Sequence, residues 1–398
     1  MKTCGLDVHK DSVFCGIYNG HSHEDVIVYS TLTASLFEMG EKLLSEGITQ
    51  IAMESTGIYW IPVWNILESM GFDLLLVNPY LIKQMPGRKS DVKDAQWIAT
   101  LLHKGLLRSS LVPSILIREL RCYTRKYTKL QSKITSILSE MERNLEMMNI
   151  RITSLVSNIS GKSIRRVVKS IIDGVEDAVE LEKLIHGRIR NTHKEKVRQS
   201  LEGFITSHHR FNLELLYEEY ELIENQVARC LEKMNSLVEL HYAEQIRLLN
   251  TLPGVSTLSA IIILAESGAN MESFESSSKF AGWTGLRPRN DESAGKYKSR
   301  ATTKGNKYFR SIIVQVAWAA SRTKGSYFME KHNRLAIRKS RKKALVAIAR
   351  KITVIIWHVL THKQVYNPAL IPVFDKDKIE AKIKYHQKEM ERLNNLVS

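Results

Sequence analysis

This 398-residue chain has few cysteines and none of the common zinc-binding motifs. The four cysteines, Cys4, Cys15, Cys122 and Cys230, lie far apart and form no CxxC pair, so no disulfide framework is expected. The thirteen histidines are scattered and give no HExxH motif, which argues against a zinc site. A reducing cytoplasm is therefore the expected compartment.

Long apolar segments are scarce as well. A membrane span needs roughly 18 to 20 uncharged apolar residues, and the best candidate, residues 344–360, is interrupted by Arg350 and Lys351. The opening residues MKTCGLDVHKDS lack the apolar core of a signal peptide. The sequence also has neither a Walker-type phosphate loop nor a GxGxxG turn. We therefore expect no membrane partner and no ATP or nicotinamide cofactor.

Positive charge, in contrast, is in excess. The 58 Lys and Arg residues oppose 42 Asp and Glu residues, a net charge of +16. The excess is local, because residues 1–110 hold nine basic and twelve acidic residues, whereas residues 284–352 hold nineteen and three. This predicts a surface for a phosphate backbone, with a basic solvated face or an anionic membrane surface as alternatives. The candidate nucleic-acid contacts there are Arg287, Arg289, Lys296, Lys298, Arg300, Lys304, Lys307, Arg310, Lys339, Arg341, Lys342 and Lys343.

The composition, 43% hydrophobic and 25% charged, is that of a globular protein with room for two or three domains. Residues 1–110 predict a three-strand meander followed by alternating helices and strands, which together indicate a mixed sheet covered by helices. A helix is expected from Asp91 to Leu102, with Ser90 as its N-cap.

The middle of the chain has a different pattern. Apolar residues between Leu213 and Leu237 recur at alternating spacings of three and four, the a/d pattern of a coiled coil. Residues 117–148 form a second amphipathic stretch that could pair with it within the chain or across a dimer, and an ordinary helical bundle fits equally well. We predict self-association through residues 210–240. Residues 150–205 are expected to form a helical insertion, whose role the sequence does not indicate.

The segment LPGVSTLSAIIILAE, which contains Gly254, resembles a helix-hairpin-helix element. In such an element a glycine turn presents backbone N–H groups to a phosphate at a helix N-terminus. The second glycine usual in this element is Ser256 here. Gly254 is therefore a candidate phosphate contact, and a plain helix-entry turn is the alternative.

Four carboxylates near the N-terminus have positions suited to metal binding: Asp7 in the first predicted strand, Glu54 at the end of a later one, and Asp91 and Asp94 at a helix start. Burying an isolated Asp7 would be costly, and a metal would offset that cost. Asp91 and Asp94 are three residues apart and share a helix face. Oxygen ligands suit Mg²⁺, or Mn²⁺ in its place, and two such ions could clamp a phosphodiester. Taken singly, each carboxylate also has an ordinary structural explanation.

The strings GLDVHKDS, AMESTGIYW and NPYLIKQMPGRKSDVKDAQWIATLL resemble, in order and spacing, the front domain of DEDD-type insertion-sequence transposases, relatives of the Piv DNA invertase. The later strings LNTLPGVSTLSAIIILAE and FAGWTGLRPRNDESAGKYKSRATTKGNKYFRSIIVQVAW resemble the family's second domain. The resemblance implies a RuvC-like (RNase H-type) domain over residues 1–110, in which the four carboxylates bind the catalytic metal. A helical coiled-coil or insertion region would span 111–245, a mainly helical transposase domain 246–365, and a tail 366–398.

Members of that family carry a nucleophilic serine in the second domain, and Ser293 is the best match, with Ser299 as the weaker candidate. A free hydroxyl is a poor nucleophile, and no histidine lies near it in the sequence. The carboxylates and their metal would therefore have to act on the Ser293 hydroxyl, while lysines and arginines neutralise the phosphate charge.

The resemblance implies a DNA recombinase that moves an insertion sequence through a phosphoserine linkage in a prokaryotic cytoplasm, associated with the nucleoid when it acts. Its expected partners are donor and target DNA, a structured bridge RNA that selects them, and further copies of itself in a dimer or tetramer. Two alternatives remain: a structure-specific nuclease that hydrolyses branched DNA with water, and a non-catalytic nucleic-acid-binding protein.

Overall fold

The computed structural model describes residues 2–55, 57–79, 90–156, 158–289, 291–293, 296–299, 301–368, 384 and 386–393; from 291 to 298 it describes backbone only. The chain divides into two compact units, Met1–Pro113 and Ser114–Ser398. Arg300 lies outside the described residues.

The first unit is built on a five-stranded mixed sheet. Its strands are β1 (Thr3–Val8), β2 (Ser12–Tyr18), β3 (Ile27–Ser30), β4 (Gln50–Glu54) and β5 (Asp73–Val77), in the order β3-β2-β1-β4-β5. The meander β1-β2-β3 is antiparallel, and β4 and β5 run parallel to β1. In the described part of this unit, the helices α1 (Thr33–Ser45), α2 (Trp60–Ser69) and α3 (Asp91–His103) accompany the sheet. The predicted mixed sheet with helices is confirmed.

Successive side chains of β1 point alternately into the apolar core on one face of the sheet and toward α3 on the other. Cys4, Leu6 and Val8 are buried in an apolar cluster that includes residues of α1 and α2. Thr3 and Gly5 point the other way, and the Thr3 hydroxyl donates to the Ala99 carbonyl of α3 at 3.0 Å. The fully buried strand therefore has helices on both faces, as expected for the central strand of a covered sheet.

The second unit begins with two long helices, α4 (Ile115–Met147) and α9 (Ser207–His241), which pack against each other. The a/d residues of α9, among them Leu213, Tyr220 and Ile223, are buried in one cluster with residues of α4. The apolar seam is therefore covered within the chain. The prediction of self-association through residues 210–240 loses its basis, because that prediction needed the seam to be free.

Residues 150–205 form short helices that add to this cluster. They are α5 (Lys162–Ile172), α6 (Ala178–Lys183), α7 (Gly187–Thr192) and α8 (Lys194–Leu201). Ile164, Val168 and Ile171 of α5 are buried in the same core as the long helices. The segment is thus an integral part of the helical core.

The remaining described part of the second unit is mainly helical and includes one hairpin. Its helices are α10 (Ala243–Leu249), α11 (Thr257–Ser267), α12 (Ser277–Trp283), α13 (Lys307–Ala320), α14 (Tyr327–Arg338) and α15 (Arg341–His362). The hairpin consists of β6 (Asp291–Ser293) and β7 (Lys296–Ser299). One described helix, α15, is long and apolar enough to cross a membrane by length and composition, with 44% of its apolar window buried. It packs against α12, α13 and α14, and a core helix passes the same test.

Candidate active site

Two parallel strands bring the first pair of predicted site residues to one edge of the sheet. Asp7 lies near the C-terminal end of β1, and Glu54 is the last residue of β4. Leu6 pairs with Met53 in the parallel register, so Asp7 and Glu54 are the next residues along neighbouring strands. The carboxyl ends of parallel strands share an edge, which is where open α/β sheets bind ligands.

A pair of glycines allows α3 to approach this edge. Gly5 and Gly16 are cross-strand partners on β1 and β2. A Cβ on Gly5 would lie 2.3 Å from the Ala95 carbonyl oxygen of α3, and one on Gly16 would lie 2.9 Å from the Gln96 nitrogen. Only glycine permits such contact. The close packing holds α3 across the strands, and its first turn carries Asp91 and Asp94.

The N-terminus of α3 is defined as the sequence predicts. The Ser90 side chain accepts a hydrogen bond from the backbone N–H of Lys93, which confirms Ser90 as the N-cap. Capping fixes the start of the helix. The cap therefore fixes the positions of Asp91 and Asp94 in the first turn. Asp91 is largely exposed and Asp94 is half-buried.

Three other carboxylates are close enough to affect the carboxyl of Asp7. Asp7 is only 7% exposed, and this burial raises the pKa of its carboxyl above the ordinary value. His9 opposes the rise in the Asp7 pKa, whereas Asp91, Asp94 and Glu54 add to it as like charges. The fold thus concentrates negative charge where a lone charge is unfavourable, an arrangement that a bound cation would stabilise.

Sequence reasoning missed one member of the cluster, His9. Its Nε2 atom lies 3.3 Å from Asp7 Oδ2 and 3.6 Å from Asp91 Oδ1. The same atom is buried and makes no hydrogen bond to any described residue. The only sequence signal was the position of His9 in a polar turn, two residues after the strand aspartate.

These side chains fit a divalent cation. Among the described residues, one donor atom each from Asp7, His9 and Asp91 lies within 4.8 Å of the others. His9 Nε2, which makes no hydrogen bond to a described residue, lies beside the buried Asp7 carboxylate in this group. The donor set therefore combines oxygen with one imidazole nitrogen, a mixture that Mn²⁺ accepts more readily than Mg²⁺ does.

The predicted nucleophile lies in the hairpin of the second unit. Ser293 ends β6 and pairs with Lys296 of β7. Backbone hydrogen bonds continue the ladder beyond the two strands, from Arg289 N–H to the Ala301 carbonyl and from Thr303 N–H to the Arg287 carbonyl. Ser293 is therefore placed near the tip of an extended ribbon.

Two glycines close the base of this ribbon. A Cβ on Gly305 would lie 2.2 Å from the Gly285 nitrogen, and Gly285 has a φ of +75°. Both conditions require glycine. The strings FAGWTG and TTKGN, which carry part of the family resemblance, thus meet at one point of the fold.

A buried ion pair anchors the same base and was also missed from the sequence. Glu266, fully buried, accepts two hydrogen bonds of 2.9 Å from the Arg125 guanidinium of α4. Asn306 donates to Glu266 Oε2 at 2.6 Å and caps α13 by accepting from the N–H groups of Tyr308 and Phe309. Nothing in the sequence pairs residues this far apart in the chain.

The predicted basic contacts differ in their surroundings. Arg310 is half-buried and donates to the Gly285 carbonyl at 3.4 Å, so it also supports the ribbon base. The backbones of Lys296 and Lys298 lie in β7. The remaining described members are exposed: Arg287, Arg289, Lys304, Lys307, Lys339, Arg341, Lys342 and Lys343.

Gly254 has a structural reason to be glycine. Its φ is +82°, and a Cβ there would lie 2.5 Å from the Ala320 nitrogen of α13. The next helix, α11, starts with a capping box between Ser256 and Ser259. Close packing of the turn explains the glycine without a phosphate, so phosphate binding at Gly254 stays a prediction.

Comparisons with known proteins identify the family. A model of IS110-type DEDD transposases matches residues 4–150, and a model of the transposase IS116/IS110/IS902 family matches residues 246–333. A Sinorhizobium fredii protein named as a transposase, y4pF/y4sB, is 31% identical over 38% of this chain and 40% of its own length. A Pseudomonas aeruginosa protein named as a family 20 transposase is 22% identical over 80% of this chain and 86% of its own.

Among solved structures, T. thermophilus RuvC in complex with a Holliday junction substrate aligns with 28% of this chain and 99% of its own. The sequence identity is 13% and the TM-score 0.22, too low to support an argument. The two family models, in contrast, together match more than half of the residues. The chain belongs to the IS110-type family of DEDD transposases.

Proposed function

We propose that this protein is a transposase that cleaves and rejoins DNA strands of an insertion sequence through a phosphoserine intermediate. The observation that carries the proposal is the cluster of Asp7, His9 and Asp91 at one sheet edge, with Glu54 and Asp94 close enough to raise the Asp7 pKa. A buried carboxylate beside other negative charges is expensive to maintain, and a carboxyl with a perturbed pKa in such a cluster is typical of catalytic sites.

The sheet supports a RuvC-like, RNase H-type assignment of the first unit. A three-strand antiparallel meander is followed by two parallel strands on the other side of β1. The cluster carboxylates come from the central strand, its parallel neighbour and a helix start. This is the arrangement that the family resemblance implies.

We propose that Asp7, Glu54, Asp91 and Asp94 hold Mg²⁺ or Mn²⁺, with His9 beside them. A bound divalent ion would supply Lewis-acid charge that lowers the pKa of an attacking hydroxyl and stabilises the departing oxygen. The residues themselves orient the cation, because Asp7 is fixed by its strand and Asp91 by the capped helix.

The proposed nucleophile is the Ser293 hydroxyl. Its oxygen forms an ester bond to phosphorus as the bond between phosphorus and a deoxyribose oxygen breaks; the serine proton is lost and the leaving oxygen gains one. The number of phosphoester bonds is unchanged, so the reverse attack rejoins a strand without ATP. Exposed cations such as Arg287 and Arg289 can neutralise the phosphate.

The proposed partners are donor and target DNA and a structured bridge RNA, in a dimeric or tetrameric assembly. The exposed cations of residues 284–352 support a backbone-binding surface. If the bridge RNA selects the DNA sequence by base pairing, the protein itself needs to recognise only the backbone and the shape of the nucleic acids.

A covalent trapping experiment tests the proposal. The protein is incubated with its guide RNA and a nicked element end in Mg²⁺, and adducts that survive boiling in detergent are mapped by peptide mass spectrometry. Wild type and Ser299→Ala should form the adduct, and Ser293→Ala should not. If Ser293→Ala still hydrolyses DNA at the wild-type rate, the protein is a nuclease that uses water. An adduct at Ser299 would assign the nucleophile to that residue. If the wild type and Asp7→Asn bind DNA equally well and neither cleaves it nor forms an adduct, the protein only binds nucleic acid.

A further inference from the structure

A cavity of about 610 Å³ lies in the second unit where α13, α14 and α15 meet. Trp318 of α13 forms part of its wall and is 54% exposed, so a large aromatic surface is open to a ligand. The volume of the cavity is within the usual range for sites that bind small organic groups. Neither the carboxylate cluster nor the Ser293 ribbon includes any of its lining residues.

The aromatic wall has the chemistry of a base-stacking site. The Arg322 guanidinium lies 3.3 Å from the centroid of the Trp318 ring and donates to the Trp318 carbonyl at 3.1 Å. Tryptophan rings and guanidinium planes are the flat groups on which unpaired bases stack. A base can add to this stack or replace Arg322 within it.

The rest of the wall supplies polar and cationic groups. His332 and Asn333 of α14 line the cavity and provide donors and acceptors for a base edge. Arg341 and Lys342, the first residues of α15, are exposed and also line it. The positive end of a 22-residue helix adds to their charge. None of the described lining residues is acidic, which favours an anionic occupant.

We infer that this cavity, called here the Trp318 pocket, binds an unpaired nucleotide of a single strand, with the base against Trp318 and the phosphate against Arg341 and Lys342. A base inside a duplex is already stacked and cannot enter a concave site, so the occupant is a looped, splayed or terminal nucleotide. The inference rests on the proposed function for the presence of a nucleic-acid partner, and it adds where and how a single strand is held.

The test uses the full-length protein in EDTA, so that binding is measured without cleavage. Anisotropy titrations compare short uracil oligomers of RNA and of DNA with an abasic oligomer of the same length. Trp318→Ala should weaken binding of both uracil oligomers by about tenfold, the usual effect of removing one stacking ring, and should leave the abasic oligomer unchanged. Trp318→Phe should retain most of the affinity. Phe211→Ala, which removes an exposed aromatic ring from α9, is the matched control.

Photo-crosslinking gives an independent readout. An oligomer with one 5-iodouracil should crosslink to the peptide that contains Trp318. The RNA and DNA arms assign the source, because a guide-RNA site should favour the oligomer that has 2′-hydroxyl groups. Equal weakening of uracil and abasic binding, or a crosslink confined to another peptide, would overturn the inference while leaving the proposed function intact. Wild-type protein that binds no strand at all would count against both.

Discussion

The two units carry opposite charge in opposite surroundings. In the first unit, the carboxylate cluster is partly buried and held by strands and a capped helix, so its geometry is fixed before any partner binds. In the second unit, the cations of residues 284–352 are mostly exposed. A buried carboxylate beside like charges is stabilised by a bound cation, whereas exposed cations are solvated and can bind a polyanion. The comparison supports the proposals that the first unit binds a divalent cation and that the second binds a nucleic-acid backbone.

The largest effect is expected when one carboxylate of the cluster is removed, because this tests whether the first unit carries out the cleavage. Asp7→Asn should lower strand cleavage on the order of a hundredfold to a thousandfold, the loss typical when a preorganised electrostatic group is removed. Glu46→Gln alters a carboxylate of the same unit that lies outside the cluster and is the control. Single-turnover cleavage in Mg²⁺ measures the effect. Cleavage by Asp7→Asn at the wild-type rate would mean that the cluster has no catalytic role.

The second unit should depend for stability on the fully buried carboxylate of Glu266. Glu266→Gln leaves Arg125 without its charged partner, and we expect the free energy of unfolding to fall by about 3 kcal/mol, the low end for a buried pair because Arg125 is partly exposed. Urea unfolding monitored by circular dichroism provides the measurement. Glu239→Gln, an exposed change on α9, should have no effect.

If Glu266→Gln proves as stable as the wild type, the ribbon base must be held by its glycines and helix cap alone. The variant is also informative if it folds: a loss of the Ser293 adduct without a loss of oligonucleotide binding would show that the Glu266 network positions the ribbon.

The exposed cations should act through the number of phosphates they contact. Changing Lys339, Arg341, Lys342 and Lys343 together to Gln should weaken nucleic-acid binding and reduce the dependence of log affinity on log salt by up to about 0.9 for each lost contact on duplex DNA. Anisotropy titrations at several salt concentrations measure the slope. A matched change of exposed cations outside this stretch, Lys162 and Lys169 of α5, should leave the slope as it was. An unaltered slope in the fourfold variant would exclude these residues from the binding surface.

The sequence predicts the first unit better than the second for a physical reason. Period-two alternation and turn residues place Asp7 and Glu54 on strands, and a serine N-cap places Asp91 at a helix start. These are local signals. The contribution of His9 depends on how a turn folds back over a strand, and the pairing of Gly5 with Gly16 beneath α3 is visible only once the strand register is known.

In the second unit the decisive contacts are distant in sequence. The heptad pattern of α9 predicts a helix with an apolar seam, but it cannot tell an intrachain partner from a second copy, and the seam proves to be covered by α4. The Glu266, Arg125 and Asn306 network joins three separate segments. Gly254 shows that a local motif can have two explanations: the close packing of its turn against α13 accounts for the glycine, and phosphate binding there stays a prediction.

The smallest expected effect is a change in thermal stability when the buried charge of Asp7 is removed. Because burial and like charges raise the pKa of Asp7 in the folded protein, its ionised form destabilises the metal-free fold at neutral pH. Asp7→Asn should therefore raise the Tm in EDTA by a few degrees, on the order of the shift for about 1 kcal/mol. The difference in Tm should shrink as the pH falls toward about 4 and the wild-type carboxyl takes up its proton.

Added Mn²⁺ should raise the wild-type Tm and leave that of Asp7→Asn nearly unchanged, because only the wild type keeps the buried charge that the cation neutralises. A variant with a lower Tm than the wild type in EDTA would mean that Asp7 is already neutralised by groups within the fold, and the contrast between a metal-requiring first unit and a backbone-binding second unit would no longer hold.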